Sequence, residues 1–205
     1  MKPPESVLLS GRHVRLEPLS PAHRDDLVAA AAEDPTIFRY MASNTASDWD
    51  AWLREALDGV AAGTYVAWAT VDQATARAIG STRFGDIAPV HGRVEIGWTW
   101  LGASHQRTAA NSEAKLLQLT YAFEDLGATR VALKTDGRNL RSQAAIERLG
   151  AVREGVLRRH IRMPDGFLRD TVYYSILDDE WPAVKMRLEE RLASDDTLTR
   201  VGEPP

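Results

Sequence analysis

The spacing of hydrophobic and polar residues along the chain predicts seven strands and five helices. Strand-like runs cover residues 13–17, 65–71, 78–87, 93–101, 130–135, 152–162 and 167–177. Helical runs cover residues 21–34, 48–62, 111–126, 138–149 and 181–192. The order is strand, two helices, three strands, helix, strand, helix, hairpin and helix. This order indicates an α/β fold whose front half is antiparallel and whose middle contains a parallel crossover.

Cap and turn residues fix the ends of several predicted helices. Ser20 followed by Pro21 is typical of a helix start. Asn111 is predicted to cap the third helix, and Gly127 and Gly150 are predicted to end the third and fourth.

The last two strands are predicted to form a long hairpin around the turn at residues 163–166. If Met163 pairs with Gly166, the following pairs face each other: Leu157 with Val172, Arg159 with Asp170, and Ile161 with Leu168. An acid opposite a base among apolar neighbours is interpreted as a structural ion pair, with a substrate-facing role as the alternative.

Composition narrows the class of protein. A chain of 205 residues is most simply one domain, and we expect an extension at 1–10, a domain at 11–181, a helix at 182–192 and a disordered tail at 193–205. The net charge of −4 gives no overall field that favours nucleic acid or a membrane. The absence of cysteine excludes disulfides, thiolate metal sites and a cysteine nucleophile. The chain shows no secretory signal and no membrane-spanning run, so a cytoplasmic protein is expected.

One segment departs from the overall negative charge. Residues 138–169 contain eight arginines against three acidic residues. This excess is interpreted either as a solvated surface or as a site for a polyanionic ligand such as a nucleotide phosphate.

Several motifs in order carry a family resemblance over residues 11–181. They are GRHVRLEPL, VEIGWTWL, QRTAANSEAKLL, TDGRNLRSQAAIERLGAVREGVLRRH and DGFLRDTVYYSIL. With them the sequence resembles the GNAT acyltransferases, and within these the branch of ribosomal-protein N-terminal (Rim-type) acetyltransferases. The resemblance implies a mostly antiparallel sheet with a central splayed pair of parallel strands, 93–101 and 130–135, that holds acetyl-CoA.

The resemblance places the diphosphate of the cofactor on residues 106–111. The family pattern has glycines where this chain has Ala109 and Asn111. A helix N-terminus offers unpaired N–H groups whatever side chains it carries, so alanine can serve if its backbone stays in an allowed region. The alternative is a capped helix start without a ligand. The cofactor-binding residues implied are Trp98, Thr99, Trp100, Leu101, Gln106, Arg107, Thr108, Ala109, Ala110, Asn111, Ser112, Asn139 and Ser142.

Glu95 is the candidate general base, acting directly or through a water. Strand alternation is expected to place Glu95, Gly97 and Thr99 on one face and Ile96, Trp98 and Trp100 on the other. The alternative is an ion pair of Glu95 with Arg93 or with an arginine on a neighbouring strand.

The second helix of the cleft carries the other candidates. The resemblance makes Asn139 a ligand of the pantetheine arm and Ser142 a hydroxyl near the sulfur; a helix cap and a bond back to the preceding turn are the respective alternatives. Many family members have a proton-donating tyrosine where this chain has Ile146.

The acceptor side is expected within residues 34–53. Its aromatic and basic residues, Phe38, Arg39, Tyr40, Trp49 and Trp52, are interpreted as core or as a ligand pocket. The five histidines have no ligand spacing, so no metal is predicted.

The sequence and the resemblance suggest three alternative functions. The first is an N-acetyltransferase that uses acetyl-CoA on a primary amine, either a protein N-terminus or a small molecule. The second is a CoA-binding regulatory module that has lost transfer. A nucleic-acid binder is disfavoured by the net charge. The sequence does not decide whether the C-terminal helix pairs with another chain, as in a homodimer, or packs on its own sheet.

Overall fold

The computed structural model describes residues 1–42 and 48–201. Within these residues, eight strands form one mixed sheet in the order β1-β2-β3-β4-β5-β6-β8-β7. Their bounds are β1 (Leu9–Ser10), β2 (Val14–Pro18), β3 (Val66–Asp72), β4 (Ala78–Ala88), β5 (Arg93–Leu101), β6 (Arg130–Asp136), β7 (Val152–Arg162) and β8 (Leu168–Leu177). All seven predicted strands are confirmed, and β1 is too short for a pattern to predict.

Five α-helices accompany the sheet in the described part of the chain. They are α1 (Arg24–Ala32), α2 (Trp49–Ala61), α3 (Ala109–Thr120), α4 (Leu140–Leu149) and α5 (Trp181–Val201). The side chains of α1 and α2 join one core cluster, and those of α3, α4 and α5 join the other, on the opposite face of the sheet. The β5–β6 pair is parallel and the other neighbouring strands are antiparallel, which confirms the mixed α/β fold.

The predicted helix ends are partly confirmed. Ser20 precedes the first helical turn in a capping box with His23, and Gly150 ends α4 with a φ of 98°. The predicted cap at Asn111 is wrong, because Thr108 caps α3 and Asn111 lies inside its first turn. Helix α5 continues beyond residue 192 to Val201, and residues 202–205 lie outside the described part.

The register predicted for the β7–β8 hairpin is wrong. Gly166 adopts a φ of 85°, its N–H donates to Met163, and the N–H of Met163 donates to Phe167 at 2.8 Å. This glycine bulge makes Phe167, not Gly166, the partner of Met163. The register shifts twice more along β7, between residues 157 and 161 and between residues 153 and 155.

The predicted cross-strand pairs change as a result. Leu157 pairs with Thr171, and Ile161 pairs with Arg169. The carboxylate of Asp170 accepts a hydrogen bond from the backbone N–H of Arg159 at 2.6 Å, so the predicted side-chain ion pair is replaced by a contact to the backbone.

A β-bulge in β5 changes the faces of the strand. Gly97 pairs with Arg83 and Trp100 with Ser81, so two residues of β5, Trp98 and Thr99, lie opposite a single residue of β4. Trp98 has a φ of 52°.

The bulge makes the predicted alternation wrong beyond Gly97. Ile96 packs in the core cluster of α3, whereas Trp100 packs in the cluster of α1 and α2. The Trp98 ring lies against Tyr65, at a centroid distance of 4.9 Å. Thr99 turns toward α3, where Lys115 contacts it.

Candidate active site

The site lies where the two parallel strands separate. Strands β5 and β6 pair from Arg93 and Arg130 to Ile96 and Leu133, and beyond these residues they no longer pair. A cavity of about 440 Å³ opens there, with α3 and α4 contributing to its walls. It is bordered by two unpaired strand edges and a helix N-terminus, which are the elements that bind an extended, phosphorylated ligand.

Most of the predicted site residues come together around this cavity. Those that line it are Glu95, Trp98, Thr99, Trp100, Leu101, Gln106, Arg107, Thr108, Asn111, Ser112, Asn139 and Ser142. Ala109 and Ala110 are not among the lining residues, and Ala110 is buried in the core. These two alanines can therefore contribute only through the backbone.

The loop before α3 needs no glycine at the two family positions. Ala109 and Asn111 both lie in the α-helix, whose backbone has a negative φ and therefore does not require glycine. The left-handed residue of the loop is Arg107, with a φ of 63°. Thr108 accepts a hydrogen bond from the N–H of Ala110 at 3.2 Å, and the other amides of the first turn have no partner within the helix.

Polar side chains tie this loop to both walls of the cavity. The side chain of Gln106 donates to the carbonyl of Leu101 at 2.9 Å, and Arg141 of α4 donates to Gln106 at 2.9 Å. Arg107 of this loop and Arg141, which contacts Gln106, line the cavity, and Arg148 and Arg191 line it as well. Together with the helix N-terminus they make a positively charged surface suited to phosphate groups.

Asn139 and Ser142 face each other at the start of α4. The side-chain oxygen of Asn139 accepts from the N–H of Ser142 at 3.0 Å, so Asn139 is a helix cap that also lines the cavity. The hydroxyl of Ser142 makes no hydrogen bond with the described residues, and the bond back to the preceding turn is not formed. Ile146, also on the cavity wall, offers no proton.

Glu95 is nearly inaccessible and lies beside a cation. Its side chain is only 4% exposed, and its carboxylate is 2.9 Å from the ammonium of Lys134 on β6. Burial raises the pKa of Glu95, and the charge of Lys134 opposes this rise. The alternative partner Arg93 pairs instead with Asp86, at 3.0 Å.

The end of the cavity beside Glu95 contains Arg169, which sequence reasoning did not single out as a site residue. Arg169 of β8 is buried, donates to the Tyr40 carbonyl at 3.3 Å and lines the cavity, as do Tyr40 and Ile161. The charge of Arg169 also acts on the pKa of Glu95. The excess of arginines over residues 138–169 was the available signal in the sequence. Only the folded structure shows that Arg169 is the one that is buried beside Glu95.

The aromatic residues near the start of α2 are mainly core. Phe38, Trp49 and Trp52 pack around Trp100 with ring centroids 5.2, 5.7 and 6.4 Å from it. Tyr40 is the aromatic residue of this region that lines the cavity in the described part of the chain. Residues 43–47 of the predicted acceptor region lie outside the described residues.

Lys115 is a second residue that sequence reasoning missed. It is 4% exposed on α3, lines the cavity, and donates to Thr99, Gln118 and Thr82 at 2.8, 2.8 and 3.3 Å. Burial lowers its pKa to about 7. The signal in the sequence was a lysine four residues before Leu119, on the buried stripe of the helix.

Two negative findings apply to residues 1–42 and 48–201. They contain no cluster of three or more side chains suited to a metal ion. No helix within them combines the length and the apolar character needed to cross a bilayer.

Comparisons with known proteins agree with this architecture. The chain is 34% identical over 100 residues to "Putative ribosomal N-acetyltransferase YdaF" of Bacillus subtilis (strain 168), a match over 49% of this chain and 54% of that protein. The chain thus spans about half the length of YdaF. A GCN5-related N-acetyltransferase from Brucella melitensis is 33% identical with a TM-score of 0.85, covering 93% of this chain and 87% of that one.

A more distant structure shows the fold alone. Mycobacterium smegmatis RimJ in complex with CoA-disulfide has a TM-score of 0.80 at 17% identity, covering 93% of this chain and 97% of that one. The family model of the acetyltransferase (GNAT) domain matches residues 13–152, which is more than half of the chain. The protein therefore belongs to the GNAT acetyltransferase family.

Proposed function

We propose that the protein transfers the acetyl group of acetyl-CoA to a primary amine by direct attack in a ternary complex. The observation that carries this proposal is one continuous cavity that extends from the N-terminus of α3, between the separated ends of β5 and β6, to the carboxylate of Glu95. The family membership and the CoA complex of the RimJ structure support the same donor.

The residues present fit acetyl-CoA. The first turn of α3 and the nearby arginines supply N–H donors and positive charge for the diphosphate. The free edges of β5 and β6 would supply strand-like hydrogen bonds for the pantetheine arm, and backbone amides of residues 98–101 would donate to the carbonyl oxygen of the thioester. One preorganised N–H donor of this kind lowers a barrier by about 3 kcal/mol.

Glu95 is proposed to take the proton from the attacking amine, directly or through a water. Its raised pKa brings the carboxylate closer to the working range of a general base, and Lys134 favours the ionised form. An α-amine, with a pKa of about 7.7–8.0, is partly neutral at pH 7, whereas a lysine side chain at about 10.4 is not. A protein N-terminus is therefore the acceptor that this base serves best, and a small-molecule amine is the alternative.

Ser142 is proposed to assist the departing sulfur. Its hydroxyl lines the cavity and has no partner among the described residues, so it can donate to the sulfur or to a water. A free thiol has a pKa of about 8.5, so a weak donor suffices.

A second candidate is a CoA-binding module without efficient transfer. The observation in its favour is the replacement of the usual tyrosine by Ile146, which lines the cavity. Thiol release from acetyl-CoA, measured against a panel of amines and N-terminal peptides, separates the two. Calorimetric binding without thiol release for any acceptor would favour the module.

Glu95→Gln provides the matched test of the mechanism. This variant should lower kcat by about 100-fold or more while the affinity for acetyl-CoA stays nearly unchanged. Glu190→Gln, on the exposed side of α5, is the control and should behave as the parent protein. An equal loss of turnover and affinity in Glu95→Gln would make Glu95 a binding or folding residue.

The cytoplasmic location, the domain boundaries and a homodimer through the C-terminal helix remain predictions. Size-exclusion chromatography with light scattering measures the last of these.

A further inference from the structure

Lys115 is a buried lysine that is bonded to neutral groups. Its ammonium donates to the hydroxyls of Thr99 and Thr82 and to the side-chain oxygen of Gln118. Three donors meet three acceptors, so the geometry suits the charged form of the side chain. The surrounding groups are bonded among themselves too, since the two threonine hydroxyls lie 2.7 Å apart.

This cation has no counter-ion among the described residues. Burial is the sole cause of its lowered pKa, and no charged group contributes. The groups that face it from β4, β5 and its own helix, Thr82, Thr99 and Gln118, are all neutral. The other charged residues that line the cavity are Glu95, Arg107, Lys134, Arg141, Arg148, Arg169 and Arg191. Because no opposite charge neutralises the ammonium of Lys115, the field of its protonated form extends into the cavity that it lines.

The bulge in β5 explains why this cation contacts Thr99. Without the bulge, Thr99 would share the face of Glu95, on the opposite side of the sheet from α3. The extra residue turns the Thr99 side chain toward α3, where Lys115 donates to its hydroxyl, and both residues line the cavity. The hydroxyl of Thr99 thus connects Lys115 to the backbone segment proposed to face the thioester.

We propose that Lys115, acting through the hydroxyl of Thr99, stabilises the negative charge that develops on the thioester during acetyl transfer. In this role Lys115 is a positioning residue that transfers no proton. The acceptor amine forms the C–N bond and gives its proton to Glu95, the C–S bond breaks, and its electron pair goes to the sulfur. Negative charge therefore appears first on the carbonyl oxygen and then on the sulfur. This inference rests on the proposed function.

Kinetics of substituted enzymes test the charge itself. Lys115→Met removes the charge at similar volume and should lower kcat about 10- to 100-fold, with the KM for acetyl-CoA changed less than about 3-fold. Lys115→Arg keeps a charge and should retain most of kcat. Lys185→Met, at an exposed ion pair on α5, is the control and should leave kcat unchanged.

The pH profile separates this role from a structural one. In the parent enzyme, kcat should fall at alkaline pH as Lys115 loses its proton, and this fall should be absent from both Lys115→Met and Lys115→Arg. A Lys115→Met enzyme with the parent value of kcat and the parent alkaline limb would overturn the proposal.

A binding experiment tests Lys115 even if no acceptor is found. The chain contains no cysteine, so free CoA is the sole thiol in the sample and its thiolate absorbance can be followed against pH. The parent protein should lower the thiol pKa of bound CoA, and Lys115→Met should return it to the value of free CoA or above. Desulfo-CoA, which lacks the sulfur, gives the baseline.

A second variant guards against misfolding of Lys115→Met. Thr99→Val keeps the lysine and removes the hydroxyl, and it should also raise the thiol pKa of bound CoA. Equal thiol pKa values in the parent protein and in both variants would overturn the proposal. If no amine in the panel makes the parent protein release thiol from acetyl-CoA, the proposed acetyl transfer fails. The thiolate measurement with bound CoA still decides the role of Lys115.

Discussion

The carboxylate of Glu95 lies 2.9 Å from the ammonium of Lys134, on the two parallel strands that separate just beyond this pair. Burial favours the protonated acid and Lys134 favours the carboxylate, so the lysine sets the pH at which the base becomes available.

Lys134→Met should therefore change the pH dependence of the enzyme. Removing the cation raises the pKa of Glu95 further, and the base must be ionised to act. The acid limb of kcat/KM should move to higher pH by about one unit or more, with a nearly normal rate above the limb. A pH–rate profile measures this, with Lys185→Met as the control. An unmoved acid limb would exclude Glu95 as the group that titrates.

Ala109→Pro tests the backbone donors at the start of α3. Proline is tolerated at the first helical position and removes only the N–H there, and the extended backbone of Thr108 is compatible with a following proline. The affinity for CoA should fall about tenfold, roughly the net value of a hydrogen bond to a charged group. Ala109→Ser keeps the amide and should bind as the parent protein does in calorimetry. Unchanged binding in the proline variant would show that this amide is not a phosphate ligand.

Gly166→Ala should destabilise the β7–β8 hairpin. Its φ of 85° is unfavourable for a residue with a Cβ atom, and we expect a loss of about 1–2 kcal/mol in the free energy of unfolding. Gly155→Ala in the same hairpin has open space around the added methyl group and no positive φ. Urea denaturation should show no loss for this control. Equal stability of the two variants would contradict the glycine bulge.

Lys115 should also make the stability of the free protein depend on pH. Its pKa is about 7 in the folded chain and about 10.4 in an unfolded one, so the unfolded chain binds the extra proton between these values and stability rises with pH. Lys115→Met lacks this contribution. Any stability advantage of the variant over the parent should therefore be largest below pH 7 and shrink above it.

The size of this change is measurable. Denaturation of both proteins at pH 7 and pH 9 should show the difference in unfolding free energy change by about 1–3 kcal/mol. A constant difference would mean that Lys115 stays protonated in the folded protein throughout this range.

The elements of this fold could be predicted because each is local. The hydrophobic spacing and the cap and turn residues alone indicated β5, β6 and the helices beside them. The order of these elements placed the parallel pair in the middle of the sheet. The family motifs then brought Glu95, Asn139 and Ser142 to one cleft, whose lining includes all three.

What could not be predicted depends on single backbone conformations and on tertiary partners. Tryptophan does not favour a positive φ, so nothing at Trp98 indicated the bulge that turns Thr99 toward Lys115. The bulge at Gly166 shifted a register that simple pairing could not anticipate. The partner of Glu95 is Lys134 on the neighbouring strand rather than Arg93 on its own strand. This choice depends on how the side chains of β5 and β6 lie in the folded sheet, which the sequence alone does not show.

The most direct test of the central claim compares acetyl-CoA with acetylpantetheine, which lacks the diphosphate and the nucleotide, by calorimetry on the parent protein. If the N-terminus of α3 and its arginines hold the diphosphate, acetyl-CoA should bind at least about 100-fold more tightly, or about 2.7 kcal/mol. Equal affinity for the two thioesters would contradict it.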